Sequence, residues 1–160
     1  MTRARAQALA EDTARPGRHF QLIVDVHLLL LRESRILLGR RTNTGYGDGA
    51  YEPPSGRLAE RETIAEAAVR VAAAQAGIEL SAARVSLAHV MHDVSGAGRI
   101  AFFLTVDGWN GEPCSTAASY SDLGWFALHD LPANMIDRAR VAIRNYAAGA
   151  RFSTYPAFGP

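Results

Sequence analysis

The chain has 160 residues, 48% of them hydrophobic and 21% charged, with a formal net charge of +1. That is the balance of one globular domain able to bury a core, with no electrostatic pull toward nucleic acid or an anionic membrane. One cysteine, Cys114, excludes an internal disulfide and a multi-cysteine metal site, and all 17 basic residues are arginine, which excludes a Walker A loop and Schiff-base chemistry.

Residues 1–18 are rich in Ala, Arg and Glu and end on Pro16-Gly17. They read as a flexible arm, with 19–160 as a single domain. Residues 20–31 predict a strand that is apolar on both faces, as in a covered sheet. Asp25 and His27 break the pattern, and being two apart they share one face. A turn at Glu33-Ser34 leads to a return strand over 35–39. Residues 41–50, RTNTGYGDGA, form a loop that continues through Pro53-Pro54-Ser55-Gly56.

Residues 63–76 predict an Ala-rich helix, with Thr63 as N-cap, Glu66 at the capping-box position and Gly77 as C-cap. Residues 84–94 and 99–107 alternate as two strands around a Ser-Gly-Ala-Gly turn. Residues 125–128 predict a short strand and 134–148 a second helix. The tail, with Phe152, Tyr155 and Phe158, is expected to pack back on the body. The order of strands and helices predicts an α/β or α+β sandwich.

Residues 51–78, YEPPSGRLAERETIAEAAVRVAAAQAGI, carry the most information. Gly56, Glu62, Arg70, Gly77 and Ile78 fall at the spacing G-x5-E-x7-R-E-U-x-E-E-x-G-U, where U is aliphatic. This resembles the Nudix box. VDVHLLL, the glycine loop, HVMHD, the FFL strand and the late GWFAL…DLP also look MutT-like, so the resemblance covers nearly all of 20–157. It implies a Nudix fold, with a mixed β-sheet sandwiched between two helices. It allows a homodimer.

In the family the resemblance points to, Glu side chains at the RE and EE positions share one helix face and hold Mg²⁺ on the substrate's diphosphate. Here those positions are Val71, Ala74 and Gln75. Val and Ala offer no donor atom and a neutral amide is a poor Mg²⁺ ligand, so the expected site holds no metal and no cofactor. The remnant of the box, Gly56, Glu62, Glu66, Arg70 and Gly77, reads as a brace for the loop and helix. Glu62, Glu66 and Arg70 follow one another at i, i+4 and i+8.

Acid–base candidates are Asp25, His27, Glu52, His89 and His92, and ligand-binding candidates are Tyr46, Tyr51, Arg57 and Asp93. For Asp25 and His27 a buried hydrogen-bonded pair and a ligand cleft both remain open. His89 and His92 fall on opposite faces of a regular strand, Tyr46 and Tyr51 either stack on a ring or cap the core, and Trp109 and Trp125 are expected to be packing residues.

Three functions compete. The first is a non-canonical Nudix-fold protein that binds a small molecule, or acts on it without metal, as in a biosynthetic step. The second is a diphosphate hydrolase with metal ligands drawn from Glu62, Glu66, Glu52 or Glu60. The third is a scaffold or regulatory module. The expected partner is a small molecule, with no nucleic acid and no membrane. The lysine-free, Arg- and Ala-rich composition points to a GC-rich bacterial genome. No apolar run forms a signal-peptide core or a membrane span, so a cytoplasmic location is expected.

Overall fold

The computed structural model describes residues 2–13, 17 and 20–156. Helix α1 (Arg3–Thr13) has no buried side chain, and the rest of the arm expected over 1–18, residues 1, 14–16 and 18, lies outside the described residues apart from Thr2 and Gly17.

The predicted first strand is divided. Ile23–Leu29 is β1 and Leu31–Arg32 is β2, which turns through Glu33 in a left-handed conformation into β3 (Arg35–Arg41). β4 (Tyr51–Glu52) and β5 (Ser55–Arg57) flank the two prolines. Helix α2 (Ile64–Ala76) is followed by the hairpin β6 (Val85–Asp93) and β7 (Arg99–Val106), then β8 (Tyr120–Ala127), helix α3 (Asp137–Ala147) and β9 (Phe152–Tyr155).

Two sheets form where one was expected. The larger has the order β5-β1-β7-β6-β9 and is mixed: β1 runs parallel to β7, and β6 parallel to β9. In the smaller, β3 pairs antiparallel with β2, β4 and β8. The short strand expected at 125–128 is therefore longer, because β8 pairs with the whole of β3. The last helix starts later than expected. Tyr51 donates its backbone N–H to the Asn134 carbonyl and accepts from Ile136 N–H, which holds 134–136 extended. The tail does return, as β9 on β6, while Phe158 lies outside the described residues.

β1 is covered on both faces, which explains its continuous apolar run. Val26, Leu28 and Leu30 pack with Ala67, Ala68 and Val71 of α2. Leu29 faces the other way, into a cluster with Phe103 and with Ala139, Ala142 and Ile143 of α3. The mixed sheet thus lies between α2 and α3.

The ends of α2 follow the sequence. Thr63 Oγ accepts from Glu66 N–H, the Glu66 carboxylate accepts from Thr63 N–H, and Gly77 closes the helix at φ 63°. A Cβ on Gly77 would also come within 2.8 Å of Cys114 Sγ. Gly77→Ala is expected to cost about 1–2 kcal/mol from the left-handed backbone alone, read as a lower urea midpoint with an unchanged m-value.

Candidate functional site

The odd-numbered face of β1 opens, toward its N-terminal end, into a cavity of about 500 Å³. That is the size range of small-molecule sites. Asp25 and His27 both line it and both are buried. β5 runs antiparallel beside them, placing Arg57 opposite Asp25 and Ser55 opposite His27. From the other side, the parallel partner β7 brings Arg99, whose guanidinium is ion-paired with Asp25.

The prolines and β4 supply Glu52, which is 3% exposed. Its carboxylate pairs with Arg41 at the end of β3 and accepts longer contacts from Ser55 Oγ and Tyr120 Oη, both at 3.4 Å. Burial raises the Glu52 pKa above its ordinary value, opposed by Arg41. Burial also pushes the Tyr120 hydroxyl up, with the Glu52 charge adding to it. Tyr120 therefore stays protonated, and it donates to the Pro53 carbonyl at 3.2 Å.

The glycine loop folds over the rim. Arg41 Nε donates to the Tyr46 carbonyl, and the Arg41 and Arg138 guanidiniums each lie 5.8 Å from the Tyr46 ring centre. Arg138 sits in the first turn of α3, which the backbone bonds to Tyr51 anchor beside the cleft. At the far end Asp93 Oδ1 accepts from Ser95 N–H at 2.9 Å and Ser95 Oγ at 2.5 Å.

His27 stands apart from the carboxylates of the cavity, each of which is engaged. It is 2% exposed and stacks on Phe103 at 4.5 Å, yet neither ring nitrogen has a hydrogen-bond partner. Burial lowers its pKa from 6.5 to about 4; Asp25 opposes the shift, and Arg138, Arg99 and Arg41 add to it. At neutral pH the ring is uncharged, with one donor and one acceptor nitrogen.

Of the candidates, Asp25, His27, Glu52, Tyr46, Arg57 and Asp93 line this one cavity, and so does Gly56. Asp25 forms the Asp–Arg pair, with Arg99, and also lines the cavity. No Asp25–His27 hydrogen bond forms among the described residues.

The remaining candidates lie elsewhere. His89 is fully buried between the Ala150 carbonyl at 2.9 Å and Ser153 Oγ at 2.8 Å. His92, on the other face of β6, does not line the cavity. Tyr51 packs edge-on against Phe126 at 4.9 Å. Trp109 and Trp125 stack on each other at 6.3 Å, with Arg32 over both rings.

Glu62, Glu66 and Arg70 lie outside the cavity. Arg70 donates to both Glu62 carboxylate oxygens at 2.7 Å and to the Arg57 carbonyl at 2.8 Å. Hydrogen bonds from Arg70 and from the Ala59 backbone lower the Glu62 pKa to about 2. Glu66 is held in the capping box. Val71 is 1% exposed, and Ser119 Oγ donates to Gln75 Oε1 at 3.0 Å. Among the described residues no group of three or more His, Cys, Asp or Glu side chains is placed to hold a metal ion.

Sequence reasoning missed Arg41, Arg99, Arg138 and Tyr120. Their sequence signal is weak, because the three arginines reach the cleft, and Tyr120 reaches Glu52 behind it, through strand register or helix placement rather than through local spacing.

No curated protein matches the chain. Solved structures do. A MutT NUDIX hydrolase from Burkholderia pseudomallei is 28% identical, with a TM-score of 0.69 over 78% of this chain and 97% of that one. A MutT protein from Methanosarcina mazei Go1 is 17% identical, with a TM-score of 0.70 over 82% of this chain and 97% of that one. An ADP-ribose pyrophosphatase from Streptococcus suis is 16% identical, with a TM-score of 0.57 over 84% of this chain and 98% of that one. The last two likenesses speak to the fold alone. The NUDIX domain family model matches residues 21–146, so the chain belongs to the NUDIX domain family.

Proposed function

We propose that this NUDIX-domain protein has lost the Mg²⁺-dependent diphosphate hydrolase site on its helix and uses the cleft around Asp25, His27 and Glu52 to bind a small molecule, or to act on it without metal. The observation that carries this reading is Val71. Where the family pattern places a metal-holding Glu, Val71 is packed beneath Gly56 in the core: a Cβ on Gly56 would come 2.9 Å from Val71 Cγ2.

The donor set does not fit Mg²⁺, a hard cation that takes oxygen ligands in near-ideal octahedral geometry. Ala74 supplies no donor, and Gln75 supplies an amide oxygen already engaged by Ser119. Glu62 is committed to Arg70 and Glu66 to Thr63. The cleft carboxylates are engaged as well, Asp25 by Arg99, Glu52 by Arg41 and Asp93 by Ser95.

What remains is acid–base and binding chemistry. The uncharged His27 can accept or donate a proton at either ring nitrogen, and the arginine-rich wall can stabilise negative charge.

Calorimetric titration with millimolar Mg²⁺ is expected to give no saturable heat, and the melting temperature is expected not to rise. A cation bound specifically to the native state would stabilise it by mass action. A saturable site whose thermal gain disappears in Glu62→Gln would contradict the reading and favour the hydrolase.

A further inference from the structure

Buried polar atoms in folded proteins almost always have partners. Among the described residues three buried side-chain nitrogens have none: His27 Nδ1, His27 Nε2 and Arg138 Nε. They come from distant parts of the chain, β1 and the first turn of α3, and both residues line the same cavity. Leaving such a donor or acceptor unpaired forfeits the hydration it had in the unfolded chain with nothing in return. Three unpartnered nitrogens on two residues that line one cavity mark it as a place for a ligand's polar atoms.

The charges around them define that ligand's sign. Arg41, Arg57, Arg99 and Arg138 line the cavity, against the carboxylates Asp25, Glu52 and Asp93. Glu52 and Asp25 neutralise Arg41 and Arg99. Neither Arg57 nor Arg138 takes part in an ion pair among the described residues. Two guanidiniums free of any direct salt bridge thus remain on the wall, Arg138 within electrostatic reach of Glu52, while the third carboxylate, Asp93, accepts two hydrogen bonds from Ser95. Guanidinium forks bind planar or tetrahedral oxyanions in a bidentate manner.

We propose that the cleft takes a small molecule with one oxyanion, a carboxylate or a phosphate monoester, seated on Arg138 and Arg57, and with a neutral hydrogen-bonding group that completes His27. This rests on the reading that the cleft holds a small molecule. It adds the ligand's charge and the residues that meet each end.

An uncharged imidazole suits a neutral group and not a second anion. It offers one N–H and one lone pair, and Asp25, already ion-paired with Arg99, borders the same end of the cavity. Tyr46, with two guanidiniums each 5.8 Å from its ring centre, adds a flat face at the rim.

The test uses three probes on the full chain: 4-hydroxybenzoate, its uncharged isostere 4-hydroxybenzamide, and 4-hydroxyphenyl phosphate. Binding is followed by calorimetry and by the ring-nitrogen NMR signals of His27. At least one anion is expected to bind saturably and to shift the His27 signals, with the amide weaker by about tenfold or more. A preference between 4-hydroxybenzoate and 4-hydroxyphenyl phosphate assigns the oxyanion. Arg138→Gln and Arg57→Gln are each expected to weaken the anion by about tenfold while melting cooperatively without ligand. Arg57 is exposed, so its variant keeps the test valid should Arg138→Gln fail to fold.

The proposal is overturned if neither anion binds, if the amide binds as tightly as the benzoate, or if Arg57→Gln leaves anion binding unchanged. The Mg²⁺ titration fails separately. A metal site would remove the non-hydrolase reading and leave the anion result standing. Equal binding of amide and benzoate would remove the anion seat and leave a neutral-ligand cleft.

Discussion

Val71→Glu is expected to unfold the protein at ambient temperature, and the triple variant Val71→Glu, Ala74→Glu, Gln75→Glu is expected to unfold with it. Those three changes restore the carboxylates of the family pattern, so a loss of fold in place of a gain of metal is informative. Val71 is 1% exposed and packs with Val26, Leu28, Ala68 and Leu104 between α2 and the sheet. A carboxylate there is set among apolar side chains, with nearby Arg70 already engaged by Glu62, and an uncompensated buried charge costs about 3–5 kcal/mol. A loss of that size takes up a large part of a typical domain stability of about 5–15 kcal/mol.

The other two positions behave differently. Ala74 is exposed and Gln75 is half-buried, so Ala74→Glu and Gln75→Glu alone are expected to fold, each within about 0.5 kcal/mol of the parent. Urea denaturation of the three single variants and the triple variant checks the pattern. A folded triple variant that binds Mg²⁺ would show that the position still opens to the cleft.

The second large effect is the acid sensitivity that His27 confers. Its folded-state pKa of about 4 lies below the 6.5 of the unfolded chain, because the buried ring resists charging. Between those values the unfolded state binds the proton and the native state does not. Stability is therefore full above pH 6.5, falls as the pH drops toward 4, and levels off below it. A shift of that size corresponds to about 3 kcal/mol.

His27→Leu is expected to abolish this component. At pH 8 the variant should be at least as stable as the parent, since two unpaired nitrogens leave the core. At pH 4 it should exceed the parent by about 3 kcal/mol beyond any difference at pH 8. Urea midpoints at both pH values measure the effect, and parallel pH profiles would show that His27 charges freely in the native state. The same substitution is expected to abolish binding in the cleft, which would identify His27 as a group held at the cost of stability for the sake of a ligand.

The fold was largely legible in the sequence because its signals are local. Thr63, Glu66 and Gly77 mark the ends of α2 through cap chemistry that needs no tertiary information. Asp25 and His27 stand out because a charged and a titratable group interrupt an apolar strand. Arg99 and Arg138 do not stand out, since an arginine at a strand start or in a helix's first turn is ordinary. Arg99 reaches Asp25 only through the parallel register of β1 and β7. Arg138 reaches the cleft only because Tyr51 pins 134–136 in an extended conformation. His89 looked like His27 in sequence, yet Ser153 and the Ala150 carbonyl satisfy it from a part of the chain 60 residues away. Nothing local distinguishes a satisfied buried histidine from an orphaned one.

The measurement that bears most directly on the central claim is turnover of ADP-ribose and the nucleoside triphosphates by the purified chain with millimolar Mg²⁺ or Mn²⁺, followed by phosphate release and chromatography. The account predicts no metal-dependent cleavage of any of them, in the parent and in Glu62→Gln alike. Metal-dependent hydrolysis by the parent that is lost in Glu62→Gln would contradict it, because Glu62 would then have to leave Arg70 and serve a metal.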